Sequence, residues 1–376
     1  MDLCQLAEKI KVWGKELGFQ QVGITDTDLS LHEQGLQRWI DEGYHGEMSW
    51  MERNHEKRIH PEELHPGAVR VISVRLDYLP PQAGFASNLE DTSTAYISRY
   101  ALGRDYHKLM RNRLKQLGQQ IEAEIASNPE FEALNYRPFV DSAPVLERPL
   151  AEKAGLGWRG KHSLLLNKEA GSWFFLGEIL IGLPLPVDTP AEDNCGKCTA
   201  CMTSCPTGAI VEEGVVDARK CISYLTIEYD GVIDAELSQA MGNRIYGCDD
   251  CQLVCPHNRA AGLTSIEDFH RREALTDSKL LNLFSWDEKT FLKNFEGSAI
   301  RRIGYLQWLR NLSIAIGNGP FSHDAIEALE SKLGLGEVLD THINEALERL
   351  HQQRPNRSTK KERLIRIVQK GLPRDA

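Results

Sequence analysis

No apolar run in this sequence reaches the roughly eighteen residues needed to cross a bilayer. The N-terminal MDLCQLAEKIKVWGKELGF also lacks the basic segment and continuous apolar stretch of an export signal. Leu3, Leu6, Ile10, Trp13 and Leu17 fall instead at helical spacing. A soluble chain with no membrane partner is therefore expected, with the cytoplasm as the default compartment. Positive charge is in deficit as well: the formal net charge is −10, which argues against indiscriminate binding of nucleic acid. One segment departs from that average. From Arg354 to Ala376 there are eight Lys or Arg and two acids, a basic island on an acidic chain. Cysteine is almost absent outside one stretch, since eight of the nine lie between 195 and 255. Such crowding in a reducing compartment points to metal rather than to disulfides, and Cys4, alone on the first helix, is given no role.

At 376 residues the chain exceeds one ordinary core, so two or three domains are expected. Up to about residue 185, strand-like segments (QQVGITD, AVRVISVRL, YRPFVDSA, HSLLLN, SWFFLGEILIG) alternate with helical ones, among them a long helix from about Asp105 to Ala126 and LERPLAEKAG. This alternation implies an α+β or α/β domain. The proline-rich LPLPVDTPAED marks a boundary, the cysteine region follows, and from about residue 261 successive amphipathic helices suggest a helical module with no clean repeat period. GLGWRGK lacks the GxxxxGK[ST] pattern and reads as a connection, not a phosphate loop.

Cys195, Cys198, Cys201 and Cys205, followed by Pro206, have the C-x2-C-x2-C-x3-C-P spacing of bacterial ferredoxins. A second set comprises Cys221, then Cys248, Cys251 and Cys255 with Pro256. Eight thiolates suffice for two 4Fe-4S clusters. In this arrangement the fourth cysteine of a motif reaches the neighbouring cluster. Cys195, Cys198, Cys201 and Cys255 are thus expected to hold one cluster, and Cys205, Cys221, Cys248 and Cys251 the other. Cys221 is the departure, with 26 residues between it and Cys248. Structural zinc is the competing reading of paired CxxC, but the triple motif with its trailing proline favours iron and sulfur. An electron carrier needs only a small domain, and this chain has long segments on both sides of the cysteines. The clusters are expected to feed a second redox cofactor.

SRYALGRDYHKLMRNRL, FVDSAPVLERPLAEKAGLGWRGKHSLLLN, CISYLTIE and GNRIYGCDDCQLVCP together resemble the epoxyqueuosine reductases, over nearly the whole chain. The resemblance implies an oxidoreductase that reduces epoxyqueuosine to queuosine in the anticodon loop of tRNA, with cobalamin and two 4Fe-4S clusters. It also implies a nitroreductase-like cobalamin-binding domain over 1–185, a ferredoxin-like domain over 186–260 and an α-helical, repeat-like tRNA-binding module over 261–376. An unidentified low-potential electron donor is expected, and nothing demands more than a monomer. Two other readings stand beside it: a cobalamin-dependent reductase of a small organic molecule, and a ferredoxin-type carrier.

The family's acid falls on Asp141, at the end of the strand YRPFV, where an apolar setting can raise a carboxyl's affinity for its proton. By residue type alone, Asp141 equally suits a cap on a helix beginning near Pro144. The resemblance also places Arg58, Asp105, Tyr106, His107 and Arg148 at the cobalamin pocket, with no histidine on cobalt; Asp105 by type is an N-cap, and Arg58 and Arg148 by type are surface charges. Leu165 and Leu176 are candidates for an apolar corrin floor or simply for core, and Ser98 and Ser223 for rim donors. Arg301, Arg302, Arg310, Lys360, Lys361, Arg363, Arg366 and Lys370 are expected phosphate contacts as a group, each singly matching a solvated helix face.

Overall fold

The structure, a computed structural model, describes residues 2–81, 84–126, 134–352 and 359–371, with the side chains at 85–86, 359 and 370–371 excepted. The chain forms two compact units. The first comprises Met1–Tyr78, Tyr106–Cys198 and Ala260–Leu263; the second comprises Leu79–Asp105, Thr199–Arg259 and Thr264–Ala376. Among the described residues no helix is long and apolar enough to cross a membrane.

The first unit is built on a four-stranded antiparallel sheet. Helix α1 (Leu3–Glu16) is capped by Asp2, whose carboxylate accepts from the Cys4 N–H at 2.8 Å, and buries Leu6, Ala7, Ile10 and Gly14. Strand β1 (Gln21–Thr25) follows, then the short helix α2 (His55–Ile59), strand β2 (Arg70–Asp77), the long helix α3 (Tyr106–Ile125), strand β3 (Tyr136–Phe139), helix α4 (Glu147–Lys153) and strand β4 (Phe174–Ile181). The sheet order is β1-β2-β4-β3. β2 and β4 pair over eight residues and are buried on both faces, which is why both read as nearly continuous apolar runs. β3 lies at the edge, where Pro138 costs no central ladder bond. Two glycines fix the helices around the sheet. A Cβ on Gly118 of α3 would stand 2.0 Å from the Tyr136 ring, and one on Gly23 of β1 would stand 2.0 Å from the Ala154 carbonyl oxygen just past α4. Both helices therefore lie too close to the strands for any larger residue.

The second unit holds the later cysteines and the C-terminal helices. Helix α5 (Ala200–Ser204) follows the first cysteines, α6 (Ile222–Ile227) starts directly after Cys221, and α7 (Asp250–Leu253) spans Cys251. Beyond them come α8 (Gly304–Gly317), α9 (His323–Glu330), α10 (Glu337–Gln352) and α11 (Thr359–Gly371). α8 is not amphipathic as its sequence suggests: every residue from Trp308 to Gly317 is buried, so it forms the centre of this unit rather than one layer of a stack. A Cβ on Gly317 would lie 2.6 Å from the Ala346 Cα of α10, which marks the close crossing of that pair.

Arg310 corrects one expectation. Its side chain, 1% exposed, donates to the carbonyls of Leu225 (2.6 Å), Tyr229 (2.7 Å) and Gly231 (2.9 Å) and to Asn311 Oδ1 (2.9 Å). Asn311 in turn donates to the carbonyls of Thr226 and Ile245, both at 2.9 Å. These bonds anchor the end of α6 and so hold the segment carrying Cys221; no donor is left for a phosphate. Arg310→Leu strands several buried carbonyls at once and is expected to cost about 3 kcal/mol or more, read as a lower midpoint in urea unfolding.

Candidate active site and cluster ligands

Asp141 stands where β3 ends, and its backbone is left-handed, with φ 54°. Among the described residues only Asp141 and Ser163 adopt positive φ without being glycine. Such strain persists only where neighbours hold it. Here the holders are consecutive residues on the first turn of α4. The Asp141 N–H donates to Glu147 Oε1 at 2.6 Å, and Arg148 Nη1 donates to the Ser163 carbonyl. The helix does not begin near Pro144, and Asp141 does not cap it. α4 opens at Glu147 because Pro149, which has no N–H, is tolerated only in a first turn. The Asp141 carboxylate instead meets His107 of α3, with Nε2 3.1 Å from Oδ2.

The apolar burial expected around Asp141 is absent, since its side chain is 58% exposed. It lies one step behind, at two glutamates that sequence reasoning passed over. Glu178, at the middle of β4, is fully buried. Its side chain lies within hydrogen-bond reach of Glu147. Burial first, then the Asp141 charge, raises the proton affinity of Glu147; burial first, then Glu147, raises that of Glu178 well above the carboxylate range. Arg58 at the end of α2, itself buried, is the cation nearby: burial lowers its pKa, while Glu147 and Asp141 oppose that fall. Tyr106 stacks on Phe175 with ring centroids 3.8 Å apart and on His107 at 4.3 Å, giving a slab of three rings on which the His107–Asp141 contact stands. Arg148 is pulled down to about 10 by burial, with Arg159 adding to the effect. Leu165 and Leu176 pack into one cluster with Ala151, Leu156 and Phe174, so the core reading accounts for both.

The remaining expected cofactor contacts lie in the second unit. Ser98 Oγ donates to Asp249 at 2.6 Å, and Ser223 hydrogen-bonds the Cys221 sulfur, so neither hydroxyl is a free rim donor. Asp105 precedes α3, and its N–H donates to the Gly297 carbonyl.

No disulfide joins any of the nine cysteines. In the second unit Cys251 has Cys205, Cys221, Cys248 and Cys201 as neighbours, and Cys205 also lies near Cys221. Backbone N–H groups of Ser223 and Tyr224 are directed at Cys221, and that of Ala209 lies 3.3 Å from Cys205 Sγ, as thiolate ligands require. Among the described residues no three His, Cys, Asp or Glu side chains form a group that could hold a metal ion. Two aspartates inside CDDC brace the segment that carries Cys248 and Cys251. Asp249 accepts from Ser98 Oγ, from the Arg99 N–H at 2.9 Å and from Tyr96 Oη at 3.1 Å, while buried Asp250 pairs with Arg244 through two bonds of 2.8 and 2.6 Å.

The family model described as Epoxyqueuosine reductase QueG, DUF1730 matches residues 58–142, and one described as a 4Fe-4S double cluster binding domain matches residues 194–258. The epoxyqueuosine reductase of Aliivibrio fischeri is 67% identical over 99% of this chain and 98% of its own length. The chain belongs to the epoxyqueuosine reductase family. It is thus an oxidoreductase with a double iron-sulfur cluster domain. Two solved structures extend the likeness. An epoxyqueuosine reductase bound to a tRNA-Tyr epoxyqueuosine-modified stem loop matches with a TM-score of 0.79 and 26% identity, covering 98% of this chain and all of that one. The Bacillus subtilis enzyme, with its catalytic aspartate loop swung out of the active site, matches at 0.81 and 25%, covering 98% of this chain and all of that one.

Proposed function

We propose that this chain reduces the epoxide of epoxyqueuosine, carried in a tRNA anticodon loop, to the alkene of queuosine, as the last step of queuosine synthesis. The observation that carries the reading is Asp141, held in a strained, exposed conformation against His107 above a slab of aromatic rings, in a chain that also supplies eight clustered cysteines. The reaction consumes two electrons and two protons per epoxide and releases water. Asp141 is the group placed to give a proton to the epoxide oxygen, and His107 orients its carboxyl and can return a proton to it.

The residues present fit both cofactors. The thiolate sets Cys195, Cys198, Cys201, Cys255 and Cys205, Cys221, Cys248, Cys251 are assigned to two 4Fe-4S clusters. For cobalamin, the buried Nε atoms of Arg58 and Arg148 have no hydrogen-bond partner, donors suited to the amide-rich rim of a corrin, and the Tyr106–Phe175 slab suits its flat face. When bound, the clusters supply single electrons and cobalamin a strongly nucleophilic reduced cobalt. On this reading residues 1–185 form a nitroreductase-like cobalamin domain, 186–260 a ferredoxin-like domain and 261–376 a helical tRNA-binding module in a cytoplasmic monomer served by a low-potential donor.

The basic tail supports a tRNA substrate. α11 buries Leu364 and Val368 and leaves Lys360, Arg363 and Arg366 exposed, with Lys361 half-buried; the Lys370 side chain lies outside the described residues. Lys360 Nζ donates to the Cys205 carbonyl at 3.1 Å, so the basic helix is fastened beside the cluster ligands. Arg301 is exposed, and Arg302 pairs with Glu228 at 2.5 Å. Replacing Arg363 and Arg366 by glutamine is expected to weaken tRNA binding at all sequences and to flatten the plot of log affinity against log salt by about 1 unit per lost contact. Filter binding over a salt series measures this. The activity itself is tested by anaerobic turnover of epoxyqueuosine-containing tRNA followed by mass analysis of the nucleosides; absence of queuosine with both cofactors loaded and reduced would overturn the reading.

A further inference from the structure

Two glutamates within hydrogen-bond reach, one of them fully buried in the centre of a sheet, need an explanation, since burying adjacent carboxylates costs free energy. Treated as two anions, the pair makes no hydrogen bond: neither Glu178 oxygen has a partner. Ser73, the register partner of Glu178 on β2, has a buried hydroxyl that is likewise unpartnered. The contact becomes a bond only when one proton lies between the carboxyls. Glu178 then donates to one Glu147 oxygen, and Glu147 Oε1 is free to accept from the Asp141 N–H at 2.6 Å.

We propose that the Glu147–Glu178 carboxyl pair, sharing one proton, is a latch that positions Asp141 in its left-handed conformation. Glu147 and Glu178 are positioning residues in this scheme; Asp141 alone meets the substrate, so the inference rests on the reading of Asp141 as the acid. The charged groups facing the latch come from every side: Asp141 from the end of β3, His107 from α3 and Arg58 from α2. Loss of the shared proton leaves two negative charges beside Asp141 with Arg58 as the counter-charge. Repulsion then drives Glu147 away from buried Glu178, and the Asp141 N–H loses its acceptor.

The sign of the pH dependence follows. Both glutamates hold their protons more tightly folded than unfolded, so the native state binds the extra proton, and the latch is closed at low pH and released as pH rises through the folded value. Hydrogen exchange at the Asp141 amide, followed by mass spectrometry in cluster-loaded protein without tRNA, reads this without turnover. Corrected for intrinsic exchange, protection of this amide is expected to persist through about pH 7, where Glu147 gives up its own proton, and to fall about tenfold at higher pH, where the proton shared with Glu178 is lost, in the wild type. In Glu178→Gln, whose amide donates to Glu147 at any pH, protection should stay level. Glu147→Ala should lose it throughout, and Glu147→Gln, which keeps an oxygen for the Asp141 N–H and offers an N–H to Glu178, should restore it without pH dependence. A level wild-type profile would overturn the shared proton, and equal protection in Glu147→Ala and wild type would overturn the positioning. Normal turnover by Asp141→Asn would instead remove the acid role and leave the exchange results intact.

Discussion

Asp141→Asn is expected to bind both cofactors with unchanged visible spectra and to lose on the order of 100- to 10,000-fold in turnover. The substitution alters little else. Asparagine has the same shape, tolerates positive φ better than most residues, and keeps the backbone N–H that donates to Glu147. His107 still finds an oxygen 3.1 Å away, in the position of Oδ2. What disappears is the acidic carboxyl proton. Single-turnover assays under anaerobic conditions, with the reductant in excess, isolate that loss from electron supply. A change confined to KM would assign Asp141 to binding and leave the acid unidentified.

The second large effect concerns the ligand sets. Cys251→Ala and Cys255→Ala are four residues apart in sequence, yet each is expected to empty a different cluster. Either variant should retain about half of the iron and sulfide of the wild type and should fail to turn over with a low-potential donor, because the electron route is cut. Their electron paramagnetic resonance spectra after reduction should be complementary, each lacking the signal that the other keeps. Identical residual spectra would show that both cysteines serve one cluster. Cys221→Ala should match Cys251→Ala, which makes it the direct test of the ligand that stands alone in the sequence.

The cysteine motifs are legible because cluster ligation is largely local: three thiols within seven residues specify a site with no knowledge of the fold. Strands β2 and β4 and the long helix α3 are legible for a similar reason, since their burial patterns repeat the apolar periodicity of the sequence. Glu178 could have been noticed. It is the one charged residue in SWFFLGEILIG, and a glutamate inside a strand buried on both faces is a signal in its own right. Glu147 offers no such signal, because a glutamate in the first turn of a helix is ordinary. Its role depends on where the chain returns after Asp141, and that is set by Pro149 delaying the helix, a tertiary consequence of one residue. Arg310 misleads in the opposite direction. In a basic segment its type suggests phosphate, and only the depth of α8 shows that its donors are consumed by the backbone around Tyr229.

The hydrogen bond from Asp141 to Glu147 closes the chain between them into a small ring whose circumference is fixed by six residue steps. Glu147 and Arg148 project from adjacent positions on one helical turn, about 100° apart, and each grips a different strained loop. A single residue added to or removed from this ring would rotate the whole first turn relative to its two loops, so that neither grip could be kept. Length variation should therefore be forbidden between 141 and 147, even though the segment is a surface loop of the kind that ordinarily tolerates it, and a graft of this acid into another scaffold would have to carry the ring and the helix start as one indivisible piece.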